Sequence, residues 1–356
     1  MFATLRMWLD RIFEQEETVV LVVLLLTGLA ILLFIGDVMM PVLAALVFAY
    51  MVQGFLATLQ RMGAPRWLAL TVSLLLFMTL FFGAILGIFP LVWQQLVNLL
   101  QEAPKLLLRL QEALLLLPER YDFVTAPQVQ ALVDKATLEL ANAGQKVVSI
   151  SFSLLPNLFS FGIYIILIPM LVFFFLKDKD PLLRWFASFL PARRPLLNTV
   201  WEEMNKQVAN YIRGKAIEIM IVGCVTYAAF VMLDLNYAAL LALGVGLSVV
   251  IPYIGAVAIT VPVLLVGFLQ FGWTADFATV AIAYFVIQGI DGNILVPLLF
   301  SEAVNLHPVA IILSVLVFGG FWGLWGVFFA IPLATLIKAI LNAWPKPSSM
   351  AMLEEE

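Results

Sequence analysis

The sequence predicts an all-α polytopic membrane protein. It has about eight hydrophobic segments, two of them Gly/Pro-broken helical hairpins, and amphipathic helices outside the membrane. Three observations carry this. Of 356 residues, 63% are hydrophobic and 12% charged, with a mean hydropathy of +1.06, whereas a soluble domain has roughly 45–50% and about 25%. Apolar runs near the ~20 residues that a helix needs to cross a bilayer recur along the chain. Two long apolar stretches, 238–270 and 308–341, are interrupted midway by glycine and proline and look like versions of each other.

Residues 1–17 form a cytoplasmic N-terminus that carries Asp10, Glu14, Glu16 and Glu17. A cleavable secretory signal would have a basic start and a small-residue cleavage site, so the first apolar segment is expected to stay as a span. The first three spans, within 18–90, are 18–36, 38–57 and 67–90, with a tight turn at Asp37 and Pro41 between the first two. Residues 91–149 form an extracytoplasmic amphipathic region. There Val129, Leu132, Val133, Ala136, Leu140, Ala143 and Val147 recur at helical spacing, to lie on the membrane or pack against a neighbouring subunit. The fourth span is 150–176. In the cytoplasmic amphipathic region 177–214, Leu197, Val200, Met204, Tyr211 and Ile212 share one face of a helix that runs into the next span at 215. Residues 215–341 contain spans 215–233 and 274–290 and both broken hairpins, and 342–356 is a cytoplasmic tail.

Orientation follows from lysine and arginine in short loops. The segment 177–215 holds eight in 39 residues, against five in the 60 residues 91–150. Arg61 and Arg66 lie on the same side as the denser group, so both termini are expected in the cytoplasm.

The first hairpin breaks around Ser248, Pro252 and Gly255, with Pro262 further on. The second breaks around Gly320, Gly323 and Gly326, with Pro332 further on. Unwound backbone at membrane depth leaves polar groups unpaired and survives only where protein or a wet cavity surrounds it. Paired interrupted segments are the best sequence pointer to a transport site.

The densest polar group is Gln288-Gly-Ile-Asp291-Gly-Asn293, followed by Glu302, Asn305 and the single histidine, His307. Ionisable groups within membrane segments are costly and mark pathways. The run 294–300 is too short to cross, so a polar turn, a short re-entry and a polar exit are expected to line a path. The bland reading makes Asp291 and Glu302 ordinary loop carboxylates. His307 either titrates near neutral pH or serves as a helix-entry residue before Pro308. Glu218 is three residues from Lys215 and suits a local ion pair, and Asp234 and Asn236 suit a structural turn. The aromatic group from Phe318 to Phe329 either constricts a path or fills space.

One cysteine, Cys224, excludes an intrachain disulfide and a multi-cysteine metal site; in an apolar segment it suits a small packing role. No H-E-x-x-H, G-x-S-x-G or phosphate-cradling loop is present. Neither an enzyme nor a cofactor or metal is expected, and a net charge of −4 gives no nucleic-acid footprint.

Several segments together resemble the autoinducer-2 exporter family, the PerM-like permeases. They are Tyr211-Ile-Arg-Gly-Lys215, Gly246-Leu-Ser-Val-Val-Ile-Pro-Tyr-Ile-Gly255, Gly292-Asn-Ile-Leu-Val-Pro297, Leu306-His-Pro308 and Gly320-Phe-Trp-Gly-Leu-Trp-Gly-Val-Phe-Phe-Ala-Ile-Pro332. The resemblance covers roughly 15–341. It implies a multi-pass permease of the bacterial inner membrane, assembled as a homo-oligomer such as a pentamer. It also implies export of a small polar solute, with autoinducer-2 as the name-giving substrate, and some relatives look like sodium/proton antiporters.

The expected function is therefore a secondary transporter that moves a small polar solute or a monovalent cation. Gln288, Asp291, Asn293, Glu302, Asn305 and His307 would lie on the path. Sodium/proton antiport is the first alternative. A non-transporting membrane scaffold, acting through 91–149 and 177–214, is the second.

Overall fold

The computed structural model describes residues 16–115, 162–252, 254–300 and 306–343, with isolated positions between 127 and 138. Every regular element among the described residues is helical. Among the described residues, five helices are long and apolar enough to cross a membrane, and shorter apolar helices accompany them. The protein is thus an all-α multi-pass membrane protein in contact with the lipid bilayer.

Helix α1 spans Glu16–Arg61 without interruption and contains Pro41. The backbone stays helical through the turn expected at Asp37 and Pro41, but Val23 and Leu46 line one cavity, closer together than the roughly 34 Å of a straight helix, so the chain bends back between them. A proline removes one backbone hydrogen bond and crowds one carbonyl, and membrane helices absorb this by local adjustment. Helix α2 (Arg66–Gly83) continues through a π-turn, Ala84–Ile88, into α3 (Phe89–Leu115). The helix of the third span therefore continues past residue 90 into the first part of the 91–149 region. Pro90 accounts for the π-turn: its ring would crowd the carbonyl of Leu86 in a regular helix, and the wider turn gives it room.

Helix α4 spans Gly162–Lys177. Next come α5 (Lys179–Ala187) and α6 (Pro195–Met232). Pro195 suits the first position of α6, where no N–H is required. As the periodicity indicates, α6 passes from its amphipathic part into its apolar part with no break at Gly214. Gly214 instead receives the Phe300 ring, which would lie 2.7 Å from an added Cβ.

The first broken segment is a helical hairpin, α7 (Ala238–Ser248) and α8 (Ile254–Phe271). Helix α7 has 11 residues and extends roughly 16 Å, too short for the ~30 Å hydrocarbon core. Helix α9 (Ala275–Ile290) follows, with the Thr274 hydroxyl accepting from Phe277 N–H at 3.5 Å. A π-turn, Asp291–Leu295, joins α9 to α10 (Val296–Phe300). The last helix, α11 (Pro308–Ala343), is two helices that meet at a kink at Gly323.

The chain forms two compact units. Residues 1–74, 167–216 and 298–356 make one, and residues 75–166 and 217–297 make the other. The core of the second is built from Val222, Phe230, Leu241, Val245, Val263, Val280 and Tyr284. Helices α6 and α7 approach closely there: a Cβ on Gly246 would lie 3.0 Å from Ile219 O and 3.2 Å from Gly223 Cα. Glycine-to-glycine contact of this kind is how helices associate without a hydrophobic drive in lipid. Cys224 is exposed on α6, so the packing role expected for it is not seen.

Helix α3 holds the start of the hairpin. Tyr237, in the left-handed conformation at φ 59°, gives α7 no side-chain cap. The Gln95 side-chain oxygen accepts Leu240 N–H at 2.9 Å instead, which satisfies one of the orphan donors of that helix end. Tyr237 OH donates to Glu102 at 2.5 Å. Burial, and then the Glu102 carboxylate, push its phenol up to about 12, so it remains a donor at neutral pH. The turn at Asp234 and Asn236 is structural, as expected: Gln270 accepts from Asn236 N–H and donates to Asp234 O, each at 2.7 Å.

Candidate functional site

Both hairpin breaks use glycine in the same way. A Cβ on Gly255 would lie 1.8 Å from the carbonyl oxygen of Ser248. A Cβ on Gly326 would lie 1.8 Å from the carbonyl oxygen of Phe318. In each case the returning helix lies directly on the last turn of the outgoing one, and only a residue without a side chain fits. Ser248 ends α7, and its hydroxyl donates to Val245 O at 2.7 Å. Pro252 lies in the connection, where its carbonyl accepts from Ile254 N–H at 2.7 Å. In the second hairpin the backbone reverses at Gly323, with φ 59° and ψ −136°. That conformation is open to glycine and strained for other residues. Gly320 is not part of the break: it is helical and has nothing within 4 Å of its Cβ position.

The prolines beyond the breaks lie inside helices, Pro262 in α8 and Pro332 in α11. Pro332 has no N–H to offer the carbonyl of Phe328 four residues back. Tyr211 of α6 supplies the missing donor, its hydroxyl giving to Phe328 O at 3.2 Å, and its ring contacts the Phe328 ring at 6.2 Å. Trp325 stacks on Phe329 at 6.2 Å. Trp325, Phe328 and Phe329 thus pack together in the second hairpin, as the space-filling alternative has it, whereas Phe321 is exposed. Tyr211→Phe strips a partly buried carbonyl of its donor and is expected to destabilise the protein by about 1–3 kcal/mol. A lowered thermal midpoint with an intact helical spectrum would show it.

The region expected to be a polar turn is helical. Helix α9 runs through Gln288 into the π-turn that begins at Asp291, and Val296 N–H reaches back to Asp291 O. The cause repeats that of the earlier π-turn, because Pro297 stands six residues after Asp291 as Pro90 stands six after Ala84. A π-turn places an extra residue in a helix and recurs at functional sites.

Gln288 and Asp291 lie three residues apart, on one face of this helix. One turn earlier on that face is Tyr284, fully buried, whose hydroxyl is a hub. Gln288 Nε2 donates to it at 2.8 Å. The Thr260 hydroxyl lies 2.7 Å away, and Ala256 O accepts from both hydroxyls, at 2.7 Å from Thr260 and 3.3 Å from Tyr284. The hub joins α9 to α8 just past the first break. Gly267 faces Phe277 while Thr260 and Ala256 face Tyr284, so the two helices run antiparallel. Continued two turns further, that register sets Asp291 level with the Pro252–Gly255 break.

Asp291 is 7% exposed, and Glu218 and Lys215 on α6 are 1% and 6% exposed. These three are the buried acidic or basic side chains among the described residues. Glu218 and Asp291 belong to the second unit and Lys215 to the first, where its ammonium lies 5.1 Å from the centre of the Phe300 ring. Reading the sequence for ion pairs left Glu218 outside the candidate site. An acidic residue followed by the long apolar run of α6 was the signal that could have found it.

The remaining candidates separate from this group. Asn293 is exposed, and its amide donates to Gly289 O of its own helix at 2.8 Å. His307 is exposed at the start of α11, where its Nδ1 accepts Val309 N–H at 3.3 Å, the geometry of a helix-entry residue. Glu302 and Asn305 lie outside the described residues.

Residues 21–346 match the family described as AI-2E family transporter. The chain belongs to the AI-2E transporter family. It is 43% identical over 346 residues to the PerM permease of Escherichia coli strain K12, covering 97% of this chain and 98% of that one. It is 25% identical to the YueF transport protein of Bacillus subtilis strain 168, over 86% of this chain and 84% of that one. It is 22% identical to the YhhT transport protein of Escherichia coli strain K12, over 96% and 95%. This AI-2E family member is therefore a multi-pass membrane protein of a transporter family. Its family-wide length match includes both hairpins and the Gln288–Asp291 face.

Proposed function

We propose that this protein is a secondary transporter of the bacterial inner membrane that exports a small polar solute, autoinducer-2 or a molecule of similar size and polarity. The observation that carries the reading is Asp291, a buried carboxylate at a π-turn inside a membrane-spanning helix, level with a glycine-dependent break in the neighbouring hairpin. A charge there is costly, and transporters retain such charges on substrate and ion pathways. Gln288, held by the Tyr284 hydroxyl, adds an amide one turn away. Asp291 would contact the solute or a coupling ion, and the hairpin breaks would supply backbone polar groups to the path. The protein would work as a homo-oligomer with both termini in the cytoplasm.

One observation favours a second reading, cation/proton antiport. The second unit buries two carboxylates, Glu218 and Asp291, and exchange of a cation for protons needs groups that hold either one.

The test is efflux of autoinducer-2 from proteoliposomes loaded with it, with and without an imposed proton gradient, beside sodium-dependent pH change in empty vesicles. Solute efflux accelerated by the gradient is the expected result. A pH change that requires sodium, with no solute efflux, would replace export by antiport. Neither signal from well-folded protein would leave the scaffold reading.

A further inference from the structure

The first unit holds two adjoining cavities of opposite character. One has a volume of about 890 Å³ and is apolar, lined by Val23, Leu46, Ala49, Phe175, Leu183 and Trp201 among others. The other is about 200 Å³ and polar, lined by Gln60, Arg66 and Asp180. Gln53 and Lys179 line both, so a single molecule could occupy the two. The larger is at the upper end of the roughly 300–1,000 Å³ found for small-molecule sites. Unlike such sites, it has almost no polar groups beyond those at the shared edge and the Tyr50–Asn205 hydrogen bond of 2.8 Å.

The geometry points to a phospholipid site, with acyl chains in the apolar cavity and an anionic phosphate head in the polar one. Charge favours an anionic head: Arg66 and Lys179 face one acid, Asp180, already held by Arg66 at 3.1 Å. Depth agrees with this. Arg66 begins a helix long enough to span and Lys179 follows the end of the apolar helix α4, so the polar cavity suits the depth of headgroups. The apolar cavity runs down α1 and α4 into the hydrocarbon. Helix α5 exposes Trp185, Phe186 and, just past its end, Phe189 beside it, their rings meeting edge to face at 4.8 and 5.1 Å. Exposed aromatics next to lysine and arginine are what membrane interfaces select. Such a lipid would fill the space between the first and fourth spans and the interfacial helix.

The test is native mass spectrometry of the full chain in mild detergent, titrated with phosphatidylglycerol, phosphatidylcholine or inorganic phosphate. The expected result is one retained phospholipid per chain, with phosphatidylglycerol bound more tightly. Lys179→Gln is expected to weaken phosphatidylglycerol by about fivefold, the worth of one basic residue near anionic lipid, and to leave phosphatidylcholine unchanged. Leu46→Trp, at a partly exposed position on the cavity wall, is expected to abolish retention of both lipids while leaving the protein monodisperse. Equal retention by Leu46→Trp and the unaltered protein would overturn the tail site. Phosphate binding that persists without lipid would reduce the polar cavity to an anion site. Retention of a peptide instead of lipid would overturn the assignment of the occupant.

Discussion

Asp291→Asn is expected to abolish transport, lowering flux at least about a hundredfold, while the protein folds and assembles normally. The substitution keeps the shape of the side chain and can keep a hydrogen bond, but removes the charge and the proton-binding group. Asparagine nearly matches aspartate in volume, so the change introduces neither a cavity nor a clash. Lost activity with unchanged or raised stability is the pattern of a group kept for function. The measurement pairs flux in proteoliposomes with a thermal melt of the same preparation. Lower stability together with lower flux would make Asp291 structural. Unchanged flux in stable protein would remove it from the path. Glu218→Gln, measured alongside, separates the two readings. If both variants abolish sodium-dependent proton movement, the exchange reading gains. If only Asp291→Asn affects flux, a single-carboxylate solute path stands.

The second large effect is steric. Gly255→Ala and Gly326→Ala would each bring a methyl group 1.8 Å from a backbone carbonyl oxygen, at Ser248 and Phe318 respectively. Neither carbonyl belongs to a flexible side chain, so the two arms of the hairpin must separate. Overpacking in a tight site costs about 1–3 kcal/mol or more, and here the contact that defines the hairpin is the one that opens. Either variant should lose a large part of its folded yield in detergent and lower the melting temperature of what remains. Gly320→Ala in the second hairpin is the internal control. With open space around it and a helical backbone, it is expected to be neutral or to stabilise by up to about 1 kcal/mol. Equal behaviour of Gly320→Ala and Gly326→Ala, read by size-exclusion profile and thermal melt, would contradict the close approach.

Much of the architecture was legible in the sequence because it depends on short-range properties. Hydropathy over some twenty residues reports membrane spans, and the breaks in 238–270 and 308–341 were visible because glycine and proline act locally. The helix through Gly214 followed from spacing alone. Other local signals were misread because one residue type serves two geometries. Proline suits a turn or a π-turn within a continuing helix, so the Gln288–Pro297 region was expected as a break. Gly320 and Gly323 look alike in sequence, and only the backbone angles show which of them reverses the chain.

By itself the sequence determined the solvent, the class of fold, the family and the pair of broken hairpins. All of these follow from composition and from the conformational limits of single residues. Tertiary structure alone decided what surrounds each group. It buried Asp291 and Glu218, turned Asn293 and His307 to local bonds, and gave the orphan carbonyl before Pro332 the hydroxyl of Tyr211, more than a hundred residues away. It also opened an amphiphilic pair of cavities beside Lys179. The physical reason is that burial, hydrogen-bond supply and cavity shape are sums over neighbours distant in the chain. A residue's own type sets what it can do, and those neighbours set what it does.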